Sequence, residues 1–180
     1  IELDEREDIT APLDVLGELG NKRRELVEPL TNYFVGRVQK DFNDRNSYVG
    51  GIFTATHRNL EPNLDFLHKQ AYSGGIDFRH NWKDRKYYVE GRGIVSRVNG
   101  SERAILETQT SLTHLYQRVD ADHVEVDETR TSLTGTGGFL EAGRQSGKWR
   151  YNAGATWRTP GLELNDIGFL RRADQIRQFA

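Results

Sequence analysis

The chain predicts an all-β fold, an antiparallel up-and-down transmembrane β-barrel with long outer loops. Three observations lead there. Side chains alternate between apolar and polar over three long stretches. Short connections between those stretches take turns with long ones. Ionisable groups on the apolar side keep to the strand ends.

Residues 71–98 carry the clearest alternation. Tyr72, Gly74, Ile76, Phe78, His80 and Trp82 form one set, and Ser73, Asp77, Arg79 and Asn81 the other. Beyond Asp84-Arg85, Tyr87, Val89, Gly91, Gly93 and Val95 alternate with Tyr88, Glu90, Arg92 and Ser96. Period 2 gives a strand one apolar and one polar face. With Asp84 and Arg85 at the centre of a hairpin turn, Trp82 faces Tyr87, Arg79 faces Glu90 and Asp77 faces Arg92. Aromatics then stand opposite aromatics and acids opposite bases, which stabilises paired strands. Each strand is about ten residues long, the length a tilted strand needs to cross a bilayer.

The other elements follow in order. Residues 1–30 read as a leader or uncertain segment: IELDEREDIT is acidic and loop-like, and the stretch up to Leu30 fits a short helix or an interrupted strand. The barrel strands occupy residues 31–180. A first hairpin alternates over 32–42 and 47–57 around the turn formers Asn43-Asp44-Arg45-Asn46, with Phe53 opposite Gly36. After the connection 58–70 and the hairpin already described comes a second long connection, 99–130, in which SERAILETQ predicts a helical turn or two. A third hairpin spans 131–158 around a three-residue loop, Gln145-Ser146-Gly147. Its second strand sets Trp149, Tyr151, Ala153, Ala155 and Trp157 against Lys148, Arg150, Asn152, Thr156 and Arg158. The connection TPGLELNDIGF then leads to the start of another strand in 170–180. Tight turns at one end and long loops at the other are the rhythm of a membrane barrel.

A basic residue facing lipid costs roughly 2–4 kcal/mol at mid-bilayer and almost nothing at the interface. The expected outward exceptions are Lys40, His57, His80, Arg97 and Glu141, all within a few residues of a strand end. Tyr72, Trp82, Tyr87, Trp149, Tyr151 and Trp157 fall toward the ends of the apolar faces as interfacial aromatics. Asp77, Arg79, Glu90 and Arg92 are expected to pair inside a wet lumen. The apolar sides also hold many small residues, with Gly36, Gly51, Gly74, Gly91, Gly93, Gly135 and Gly137 assigned there, which would fill a water-soluble core poorly.

The segments VEPLTNYFVGRVQKDF, GGIFTATHRNL, THLYQRVDADHV, TRTSLTG and TPGLELNDIGFLRRAD are similar to a family of uncharacterised bacterial outer-membrane proteins. In that family a β-barrel region follows a carbohydrate-binding module of the family-nine type. The resemblance runs from about Val27 to the end. It implies a fragment, several strands of a larger barrel without the module. The opening at Ile1, without Met or a signal peptide, likewise leads to the expectation of a mature or trimmed piece.

Composition excludes several classes. A net charge of −2 over 180 residues and the lack of a Lys/Arg run leave no nucleic-acid patch. Zero Cys removes disulfides and Cys-ligated zinc. Mean hydropathy is −0.73 and no apolar run is long enough for a spanning helix. GxSxG, P-loop and GxGxxG motifs are lacking, and no pair of carboxylates stands out as a glycosidase pair.

The loop DADHVEVDE offers Asp120, Asp122 and Asp127 as weak calcium candidates, but it lacks the spacing of an EF-hand and reads as a solvated outer loop. His114 with His123 and Asp122 is a weak zinc or acid–base set. Asn165 and Asp166 lie in a candidate ligand-binding loop, whose expected role is to plug or cap the barrel. The expected function is therefore that of a non-enzymatic protein of the bacterial outer membrane. Its partners would be the lipid bilayer and carbohydrate or another small ligand taken up, exported or handled at the surface, with no cofactor. The alternative is a soluble β-barrel or sandwich that binds carbohydrate.

Overall fold

The computed structural model describes residues 5–10 and 22–180. Two short strands, β1 (Glu5–Thr10) and β2 (Lys22–Glu28), pair antiparallel as a sheet of their own. Residues 1–4 lie outside the described residues, and residues 5–10 of the acidic opening segment, read as loop-like, are thus a strand. Its partner strand supplies what its own pattern lacks. Of residues 13–30, read as a short helix or an interrupted strand, 13–21 lie outside the described residues and 22–28 form β2.

Seven strands form the main sheet: β3 (Thr31–Phe42), β4 (Ser47–Arg58), β5 (Gln70–Trp82), β6 (Tyr87–Asn99), β7 (Ser132–Arg144), β8 (Tyr151–Arg158) and β9 (Gln175–Phe179). Each hydrogen-bonds to its neighbour in the chain, so the sheet is an antiparallel up-and-down meander. It is open, with β3 and β9 at its two edges. Among the described residues no helix is long and apolar enough to cross a membrane, which says nothing about strands.

The first two hairpins have the register that alternation predicts. Gly36 pairs with Phe53, Trp82 with Tyr87, Arg79 with Glu90 and Asp77 with Arg92. Both turns place an Asp-Arg dipeptide at positive φ: Asp44 51°, Arg45 61°, Asp84 54° and Arg85 60°. Paired positive φ values match the twist of the flanking strands. Each turn closes with a backbone bond, Asn46 N–H to Asn43 O at 2.9 Å and Lys86 N–H to Lys83 O at 3.1 Å.

The third hairpin differs from expectation. β7 ends at Arg144 and β8 begins at Tyr151, with Arg144 paired to Tyr151, so the connection has six residues and Trp149 sits in it rather than in the strand. The pairing is displaced by three positions, an odd number, which exchanges the faces of β7. Glu141, expected to face outward, therefore faces inward and accepts a bond from Tyr88 Oη–H. Gly135 and Gly137 turn inward with it, and Leu140 and Ala142 turn outward.

Pairing across the sheet gathers Phe34, Val38, Val49, Phe53, Ile76, Val95, Leu140 and Ile176 on one face, all exposed. This is the outer face. The inner face is covered at the end that carries the long connections. There α1 (Glu102–Thr110) lies between β6 and β7 in sequence, its first turn capped by Ser101 Oγ accepting from the Ala104 N–H at 3.0 Å. Its Ile105 packs with Ala71, Val98, Leu133 and Tyr116 in one core cluster. A second cluster, Leu162, Leu170 and Ala173, comes from the connection between β8 and β9 and packs on Ile94.

Candidate functional site: the inner face of the sheet

The sequence alternation puts polar side chains on the inner face, and the long connections cover only one end of it. What remains is a cavity of about 740 Å³, lined from Arg37 on β3 across to Arg158 at the end of β8. Gly75 and Gly137 leave room along its floor, while Leu162, Leu164, Phe169 and Leu170 wall it at the long-loop end. A cavity bounded by six successive strands from one side means that this face is concave.

Charge within it is largely paired. Arg79 donates to Glu90 at 2.7 Å and to Gln145 at 2.8 Å, as the register predicts for the first of these. Asp77 does not bond to Arg92, its register partner. It accepts instead from Arg37, two strands away, at 3.1 Å. Gly50 explains the choice: a Cβ there would come within 2.8 Å of Asp77 Oδ1, so the carboxylate lies in the space the glycine leaves on β4. Arg92 is left over the ring of Phe139, its guanidinium carbon 4.4 Å from the centroid, in cation–π contact.

The connection between β8 and β9 is fastened to this face by side chains that the periodicity of the strands does not mark. Asp166, one of the two loop residues proposed for ligand binding, is one-tenth exposed and accepts from Arg58 at 2.5 Å, with His68 Nδ1 at 2.8 Å from its other oxygen. Asn165 Oδ1 accepts from the Leu170 N–H at 2.7 Å. Both are thus occupied in bracing their own loop. His114 Nε2 meets Glu163 Oε2 at 2.8 Å in full burial, and the Glu163 N–H donates to Ser96 Oγ. Burial works to raise the Asp166 carboxyl, but His68 and Arg58 outweigh it and hold the group below the usual carboxylate range. Glu163 is also held low: its burial is outweighed by bonds from His114 and the Asn165 N–H. The contacts to other segments span from 49 positions (His114 with Glu163) to 108 (Arg58 with Asp166), and no local signal marks them.

Over residues 14–180 the chain matches a family described as a domain of unknown function, DUF5916. The chain belongs to that family. No curated protein and no solved structure matches it. In this DUF5916 chain the remaining candidates fall as follows. Trp82 and Tyr87 stack at the turn end of the outer face, centroids 5.8 Å apart, and exposed Tyr151 and Trp149 lie at that end too. Tyr72 and Trp157 lie at the long-loop end, where Tyr72 Oη meets His57 Nε2 at 2.8 Å. Asp120 lies 3.6 Å from Arg118, and Asp127 accepts from the Thr129 N–H and hydroxyl. His123 meets Asp174 at 2.9 Å, separately from His114. Among the described residues no group of three His or acidic side chains could hold a metal ion.

Proposed function

We propose that this sheet is a wall of a β-barrel in a bacterial outer membrane, closed by further strands, with the outer face toward lipid and the inner face toward a wet lumen. The reading rests on one observation, the exposed apolar outer face. Phe34 is 58% exposed, Val38 73% and Ile76 68%, and strand pairing sets them on one face, whereas a water-soluble surface usually scatters its exposed apolar residues singly. The ionisable residues on it, Lys40, His57, His80, Arg97 and Arg144, all lie within two residues of a strand end. Aromatic side chains gather at both ends of the same face, as they do at membrane interfaces. A soluble carbohydrate-binding sandwich would need a second layer over Phe34, Val38 and Ile76, and nothing among the described residues covers them.

In this reading the role is non-enzymatic: passage or surface handling of a small nutrient, carbohydrate included, with the braced β8–β9 connection narrowing one end of the lumen. The order of a carbohydrate-binding module before the barrel belongs to the same proposal. Fractionation tests it. The full-length protein is expected in the outer-membrane fraction, extracted by detergent and not by salt or alkali. Recovery in the aqueous phase without detergent would refute it.

A further inference from the structure

Most acids on the concave face are already committed. Asp77 is held by Arg37, Glu90 by Arg79, and Glu141 by Tyr88 and Asn152. Arg92 is different. It sits mid-strand in β6, is exposed to the cavity, and among the described residues has no oxygen acceptor. Its register partner Asp77 is diverted by the gap at Gly50, and its other register partner is Phe139, whose ring supports the guanidinium from one side. A guanidinium offers five N–H donors in a planar fork suited to two oxygens of one anion. Partial enclosure makes that charge more effective than on an open surface.

We propose that the concave face binds a small anionic solute, with a carboxylate or phosphate group seated on Arg92. Phe139 orients the fork, so less side-chain freedom is lost when two parallel bonds form. Tyr48, Thr156 and Arg158 line the same cavity and meet the rest of the solute. The glycine at position 50 acts as a positioning element, because it keeps the nearest carboxylate off Arg92. This deepens the lumen reading and rests on that face being open to water. Binding itself can be measured in whichever phase the protein occupies, so a failed membrane assignment and a failed anion site give separate results.

The test is calorimetric titration of the full-length protein at low ionic strength with inorganic phosphate, with benzoate and with neutral glucose. At least one of the two anions is expected to bind and glucose to bind at least tenfold more weakly. Which anion binds tells a phosphate ligand from a carboxylate ligand. Arg92→Gln should weaken anion binding about tenfold or more, and Arg92→Lys less, since charge is kept and the fork is lost. Gly50→Ala leaves Arg92 in place but displaces the Asp77 carboxylate, so it too should weaken binding. Circular dichroism on each variant confirms folding. If neither anion binds, if glucose binds equally well, or if folded Arg92→Gln binds like the parent, the proposal is wrong.

Discussion

Individual side chains on the main sheet are placed by what their cross-strand neighbour leaves free. Gly50 is the clearest example, since the missing Cβ decides which arginine Asp77 meets. The ion pair between Arg79 and Glu90 is about a quarter exposed on each side, which limits its value to roughly 1 kcal/mol. A double-mutant cycle on Arg79→Ala and Glu90→Ala should return a coupling of that size. A turn position makes the opposite kind of prediction. Arg45 has φ 61°, a region where a Cβ costs roughly 1–2 kcal/mol. Arg45→Gly removes that strain at some cost in unfolded-chain entropy, so a net gain of about 1 kcal/mol in denaturant titration is expected. Arg85 is a poorer choice for the same change, because its Nε–H donates to Asn46 Oδ1 at 2.9 Å.

Among the elements, the β8–β9 connection depends most on the rest of the fold. It crosses the inner face where β7 has no side chains: a Cβ on Gly135 would collide with the Leu162 backbone nitrogen. Gly135→Ala should cost ~3 kcal/mol and free the connection to protease before the sheet unfolds. Asp166→Ala leaves the largely buried Arg58 guanidinium with only the His68 carbonyl as acceptor among the described residues. The cost should therefore fall at or below the low end of the about 3–5 kcal/mol for breaking a buried pair. Acid should act on the same contacts. Asp166 and Glu163 both have lowered folded values, so they stay ionised to lower pH in the folded chain than in the unfolded one. Their stabilisation is therefore complete above the unfolded carboxylate values of about pH 4 and is lost as pH falls through the folded ones. Proteolysis of residues 159–174 is expected to accelerate below about pH 4, and Asp166→Asn with Glu163→Gln should lose that dependence.

At the scale of the whole molecule the outer face is where a lipid and an aqueous surrounding predict different outcomes. Ile76 and Phe53 lie near the middle of β5 and β4 and are 68% and 48% exposed. If hydrocarbon covers them, Ile76→Arg or Phe53→Arg should cost roughly 2–4 kcal/mol and block assembly in the membrane, while Arg97→Ala near a strand end is mild. If water covers them, an arginine at exposed Ile76 would shift stability by only about 0.5 kcal/mol. Heat-modifiability on gels after refolding into detergent reads the difference. The two edges, β3 and β9, have no strand paired to them among the described residues and bear on the same question, since unpaired edges invite further strands.

Much of this architecture is local and was legible for that reason. Alternation fixes which face a residue takes, and a two-residue turn fixes the register of the strands beside it, so both faces of β3 to β6 follow from their own residues. The β7–β8 hairpin shows the limit: Gly147 drew the turn too tight, and an odd displacement moved Glu141 and Gly135 to the other face. The inner cavity needed more. That Asp77 turns to Arg37, that Arg92 has no acid beside it among the described residues, and that Asp166 is held by Arg58 and His68 depend on chain segments tens to about a hundred residues apart.

From the amino-acid order alone come the antiparallel strands, their apolar and polar sides, the tight turns and the short helix, because each depends on neighbours a few residues away. Only the tertiary structure decided which charges pair across the concave face and how the last long connection is fastened to it. Those outcomes turn on distances between side chains that the chain brings together only when the whole sheet has formed.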